Sequence, residues 1–109
     1  LDPRLDALPK ALLPDAPPAD RIVAFYERVL PPLARSILCV KPNIAFFECH
    51  GAAGFAAYEQ TCALARGHGM LVLGDIKRGD IGSTAEHLLD RLPCDVLVVK
   101  PRQRSGPVR

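Results

Sequence analysis

The sequence has little net charge, no long apolar run and no paired cysteines, and each of these narrows what the protein does. A formal charge of +2 spread over 109 residues is too small and too scattered to argue for a nucleic-acid surface. The exception is the basic stretch "KPRQRSGPVR", residues 100–109, which lacks apolar periodicity and reads as a terminal tail. No segment approaches the ~18 apolar residues of a membrane span, and no signal peptide is recognisable. Cys39, Cys49, Cys62 and Cys94 show no CxxC spacing, and three lie in apolar runs. They read as buried, reduced thiols, which favours a cytoplasmic compartment. Cys49-His50 has no second pair at zinc-like spacing, so no metal site is expected.

What is present suits one domain, 49% apolar and 24% charged. Prolines crowd the opening "LDPRLDALPKALLPDAPPAD", which reads as a loop with at most a short helical turn. "ADRIVAFYERVL" sets Ile22, Tyr26, Val29 and Leu30 on one helical face, and Pro31-Pro32 are expected to end or kink that helix. "SILCVKPNIAFF" reads as a strand run interrupted at Pro42. "GAAGFAAYEQTCALARGHG" carries Phe55, Tyr58, Cys62 and Ala65 at helical spacing, with Gly67 and Gly69 as a stop. "MLVLGDIK" is a second strand. "STAEHLLDRL" is a helix whose Ser83 and Glu86 form a capping box, and "CDVLVVKP" is a third strand. Short apolar strands alternating with amphipathic helices predict a parallel sheet with helices packed outside it.

The charges of "LGDIKRGDIGST" fall directly after an apolar strand. Strand alternation places Asp75 and Lys77 on the face of Leu71 and Leu73, and Lys41 on the face of Ile37, Cys39 and Asn43. Both sets lie at the C-terminal ends of their strands, where parallel α/β folds build their sites. If the strands are neighbours, Lys41, Asp75 and Lys77 converge at one rim. An ion pair that merely closes the rim is the alternative. "RGD" at Arg78 to Asp80 is a chance tripeptide on a chain with reduced cysteines, and "GDIGST" lacks the lysine and spacing of a P-loop.

"KPNIAFFE", then a helix, then "VLGDIKRGDIGSTA" closely resembles the orotidine 5'-phosphate decarboxylase family, in its longer bacterial type. The resemblance runs from Leu1 to about Glu86, with "LDPRLDALP" similar to the segment after that family's first strand. "VLVVKP" matches its next strand only loosely, and nothing beyond Pro101 matches. The resemblance implies a (β/α)8 TIM barrel, of which this chain would hold about the first half, strands one to four. It divides the chain into a half-barrel at 1–100 and a non-matching basic tail at 101–109. It also implies decarboxylation of orotidine 5'-phosphate to uridine 5'-phosphate, a step of pyrimidine biosynthesis, without metal or organic cofactor.

Carried over by position, Lys41, Asp75, Lys77 and Asp80 resemble the family's alternating catalytic array, and Asp2 the residue that contacts the ribose. Asp80, Ile81 and Thr84 resemble residues that reach into the neighbouring subunit of a homodimer. Neither a nucleic acid nor a membrane is an expected partner. The family's phosphate-gripping Gln and Arg and its pyrimidine-contacting Ser have no match in this chain. Both ends look cut, so a fragment or truncated product, inactive alone, is expected. The alternatives are a magnesium-dependent sugar-phosphate lyase of the same superfamily, similar to 3-keto-gulonate 6-phosphate decarboxylase, and a non-catalytic half-barrel that self-associates. The lyases carry an acidic residue where this chain has Lys41.

Overall fold

Pro18, fixed near helical φ and lacking an N–H that the first turn would leave unpaired, opens the first helix, α1 (Pro18–Leu33). Its face of Ala19, Ile22, Tyr26 and Leu30 is buried, as the spacing predicts, whereas Val29 is only half-buried. The computed structural model describes residues 1–76. The remaining elements among them are β1 (Cys39–Val40), α2 (Ala45–Glu48), α3 (Gly51–Gly67) and β2 (Leu71–Val72). A 3-10 turn at Leu5–Ala7 precedes α1. The expected helix at Ser83 to Leu92, the strand beginning at Cys94 and the basic tail lie outside the described residues.

Pro31 and Pro32 do not end α1, which continues through both to Leu33. A proline removes the bond from its own N–H, but in the last turn only two such bonds are lost. The turn is closed beyond them, where the Ala34 N–H donates to the Leu30 carbonyl at 2.9 Å and the Ile37 N–H to that of Leu33 at 2.8 Å. At the other end, Arg21 ties the preceding loop to the helix, donating from Nε to the Leu12 carbonyl (3.1 Å) and from Nη2 to that of Pro9 (3.3 Å).

β1 and β2 pair in parallel, Cys39 opposite Leu71 and Val40 opposite Val72. The ladder breaks after one repeat and resumes as a single bridge between Asn43 and Asp75. Pro42 explains the gap. The Leu73 N–H donates to the Val40 carbonyl (2.9 Å) and the Asp75 N–H to the Pro42 carbonyl (3.0 Å), but the rung between them needs an N–H on residue 42.

The strand expected to run on through Phe47 turns helical instead. Asn43 Oδ1 accepts the Ala45 N–H at 3.2 Å, an Asx-type bond that bends the chain. α2 then buries Phe47. A run of apolar residues does not by itself distinguish a strand from a short buried helix.

α1 and α3 pack against each other on one face of the sheet. Their core joins Ile22, Tyr26 and Leu30 of α1 to Ala57, Tyr58, Cys62 and Ala65 of α3, over Val40 and Val72. Phe47 stacks on Tyr26 (centroids 6.4 Å apart) and meets Tyr58 edge-on (5.3 Å). Phe55 departs from expectation: it lies on the exposed side of α3. Of the described cysteines Cys62 is buried, Cys39 half-buried and Cys49 exposed, so the buried reading fails for Cys49, and all three are free thiols. No helix among the described residues is long and apolar enough to cross a membrane.

Candidate active site

The sheet face away from the helices carries the candidate residues. Val40 and Val72 point into the core, so the alternate positions Cys39, Lys41 and Asn43 on one strand, and Leu71, Leu73 and Asp75 on the other, share the opposite face. Leu71 is 63% exposed there. In register, Lys41 stands level with Leu73 and Asn43 with Asp75. Two of the three charged residues expected at the C-terminal rim, Lys41 and Asp75, therefore share one face, a diagonal step apart.

Leu1 extends the sheet by one position on the far side of β1. Its amine donates to the Lys41 carbonyl and its carbonyl accepts the Asn43 N–H at 3.1 Å. These bonds bracket Pro42 as a neighbouring parallel strand would. Continuing that register by one residue sets Asp2 at the level of Asn43 and Asp75. The backbone turns immediately afterwards, the Arg4 N–H reaching back to the Asp2 carbonyl at 2.8 Å.

Electrostatics mark the same neighbourhood. Burial lowers the pKa of the Leu1 amine below its ordinary value; Asp2 opposes the shift, Lys41 adds to it and Asp75 opposes it. Asp2, Lys41 and Asp75 thus all act on one point of the rim. Asp2 also reaches the helix layer: burial, and secondarily the Asp2 carboxylate, raise the pKa of the Tyr26 phenol. Lys41 and Asp2 are exposed and Asp75 half-buried, an arrangement open to a polar ligand.

Lys77, Asp80, Ile81 and Thr84 lie outside the described residues. Among the described residues, no three His, Cys, Asp or Glu side chains come together as a metal-binding group. Asn43 is the residue whose position the sequence undervalues. Alternation from Lys41 puts it on the right face, but only the register shows that it stands directly opposite Asp75.

Comparison with known proteins bears on what this rim belongs to. The chain is 40% identical over 105 residues to the orotidine 5'-phosphate decarboxylase of Herpetosiphon aurantiacus, an alignment covering 93% of this chain and 38% of that protein. It is 41% identical over 106 residues to the protein of the same name from Natronomonas pharaonis, covering 93% and 37%. The chain therefore spans less than two fifths of the length of these curated relatives. No solved structure matches it. The model of the orotidine 5'-phosphate decarboxylase / HUMPS family matches residues 15–101, which is most of the chain, and the chain belongs to that family.

Proposed function

We propose that this chain is the part of an orotidine 5'-phosphate decarboxylase that carries its charged catalytic array, built as the first strands of a (β/α)8 barrel. The observation that carries this reading is the common face of Lys41 and Asp75 at the C-terminal end of two parallel strands, the end at which barrel enzymes assemble their chemistry. The substrate is orotidine 5'-phosphate, the product uridine 5'-phosphate, and the compartment the cytoplasm. Two copies form the working unit, with Asp80, Ile81 and Thr84 serving the partner's site.

Loss of carbon dioxide leaves an electron pair on C6 of the pyrimidine. Lys77 places its ammonium beside that carbon and then gives it a proton. Asp75 faces the departing carboxylate, and Lys41 with Asp80 holds the array in place. Two carboxylates about 4 Å apart at an effective dielectric near 20 repel by roughly 4 kcal/mol, whereas typical enzymatic accelerations require about 8–23 kcal/mol. Repulsion at Asp75 is therefore the smaller contribution, and stabilisation of the developing carbanion by Lys77 the larger. No step requires a metal or an organic cofactor. Lys41 weighs against the sugar-phosphate lyases, whose resembling position is acidic.

The test is conversion of orotidine 5'-phosphate by the purified chain, alone and joined to the remaining portion of the Herpetosiphon aurantiacus relative. The joined protein is expected to turn over and to ignore EDTA, and Lys77→Ala is expected to remove the activity. The chain alone is expected to be slow, because remote phosphate binding drives alignment in such sites and no phosphate-gripping residues are matched in it. A folded joined protein without activity, or one that EDTA inhibits and magnesium restores, would overturn the reading. The exposed Ile37, Leu38 and Leu71 favour a second reading, a non-catalytic half-barrel that associates with itself. Sedimentation as dimers or larger species, with no turnover in the joined protein, would support it.

A further inference from the structure

An apolar groove lies beside α1, and no step of the proposed chemistry uses it. Pro9, Ala11 and Leu12 form one wall, Phe25, Arg28 and Val29 the other, and no residue of α3 lines it. The three helix residues are three and four positions from one another or adjacent, and so share one flank of α1. Val29, which the spacing places on the buried stripe, is only half-buried because its outer side opens into this groove, as does that of half-buried Phe25. The loop wall is held in place. Arg21 donates to the carbonyls of Leu12 (3.1 Å) and Pro9 (3.3 Å), and the Leu12 N–H donates to the Pro9 carbonyl at 3.0 Å. The space, about 230 Å³, admits a large apolar side chain. Arg28 is exposed at its edge and makes no ion pair among the described residues.

The sheet indicates what covers this flank. α1 links the Leu1 position to β1, and α3 links β1 to β2, so the side of α1 away from α3 faces outward past Leu1. In a parallel sheet each further strand brings a helix into the same layer. The aligned segment makes up 38% and 37% of the two curated relatives, which therefore have the chain length to supply that helix. We propose that the groove is the seat of an amphipathic helix from the portion of the protein that those relatives have outside the aligned segment. The helix lays a large apolar side chain between Leu12, Phe25 and Val29, and a carboxylate against Arg28. Ala11, the smallest side chain of the loop wall, lets its backbone approach. This rests on the reading of the chain as part of a longer decarboxylase. Because Arg21 already fixes the loop, the seat exists before the helix arrives, and docking orders little that was free.

The test reads the groove in the chain alone and in the protein joined to the remaining portion of the Herpetosiphon aurantiacus relative. Ala11→Cys puts a thiol on the exposed wall, and mass spectrometry follows its alkylation by a maleimide. Joining should slow that alkylation by about tenfold or more, because a covered thiol reacts only on local opening. Ala63→Cys, at an exposed position of α3, should react alike in both proteins. Ala11→Trp, which fills the groove, should leave the urea midpoint of the chain alone in place. In the joined protein it should raise the unfolding constant by about tenfold to a hundredfold, the worth of one large apolar side chain. Arg28→Glu should lower the joined protein's midpoint, and Arg28→Lys should restore it. Equal alkylation at position 11 in both proteins, or equal slowing at position 63, would overturn the proposal. Protection already present in the chain alone and lost on dilution would assign the groove to a second copy and overturn it as well. Turnover of orotidine 5'-phosphate is read separately. Protection at position 11 without turnover leaves the groove standing and removes the decarboxylase reading, and turnover without protection does the reverse.

Discussion

Asn43 and Asp75 stand opposite each other across a parallel bridge, held by the Asp75 N–H on the Pro42 carbonyl and the Ile44 N–H on the Asp75 carbonyl at 3.3 Å. The bridge lies one rung beyond the gap that Pro42 leaves in the ladder. β1 leads into it and α2 leads out of it. Both residues sit where a strand has stopped being a strand, yet the backbone still sets the face on which their side chains emerge.

Lys41 projects from this rim and is exposed. Replacing it with alanine should change folding stability by no more than about 0.5 kcal/mol, as is usual for a surface site. The same substitution should abolish the nucleotide-induced shift at Asp75. Urea unfolding, and titration of the joined protein with uridine 5'-phosphate followed at the Asp75 backbone amide, separate the two effects.

Gly54 lies where α3 crosses the end of α2. A Cβ at this position would fall 1.8 Å from the Phe47 carbonyl oxygen and 2.9 Å from the His50 Cβ, and backbone cannot swing aside as a flexible side chain could. Gly54→Ala should destabilise the fold by about 1–3 kcal/mol, the usual range for overpacking. It should also shift the aromatic resonances of Phe47 and Tyr58. Thermal unfolding with one-dimensional NMR checks both.

Two glycines at the end of α3 should respond in opposite directions. Gly69 has φ +79° and closes the helix: its N–H donates to the Arg66 carbonyl (2.9 Å), and the Met70 N–H to that of Ala65 (3.0 Å), a Schellman motif. Gly69→Ala should cost about 1–2 kcal/mol. Gly67 is the last helical residue and has nothing near the place of a Cβ, so Gly67→Ala should stabilise by about 0.4–1 kcal/mol. Denaturant midpoints for the pair are the measurement.

Tyr26 predicts an alkaline limb in stability. Burial and the nearby Asp2 raise its pKa in the folded state above the ordinary value of 10.0. Below about pH 10 the phenol is protonated in both states and the contribution is fully present. Above that pH the unfolded chain ionises first, so the unfolded state binds fewer protons and stability falls as pH rises toward the folded pKa. Tyr26→Phe should flatten this slope above about pH 10, the ordinary tyrosine pKa; an unchanged slope would remove Tyr26 as its source.

Within residues 1–76 the sequence by itself determined the succession of helix and strand, the buried stripe of α1, the stop at Gly69, and the sharing of a face by Lys41 with Asn43 and by Asp75 with Leu71. These follow from local periodicity and from glycine and proline chemistry, which act over a few residues. Tertiary structure decided that Ala45–Glu48 form a helix once Asn43 has bent the chain, because Phe47 finds its partners on α1 and α3, far away in sequence. It also decided that α1 outlasts Pro31-Pro32 and that Phe55 faces outward, since closure of a last turn and the choice of buried face depend on what packs alongside. Above all, it decided that Asn43 meets Asp75. A strand's own pattern says which face a side chain takes, but which residue stands across from it is a matter of register, and register is set by pairing between segments 32 residues apart.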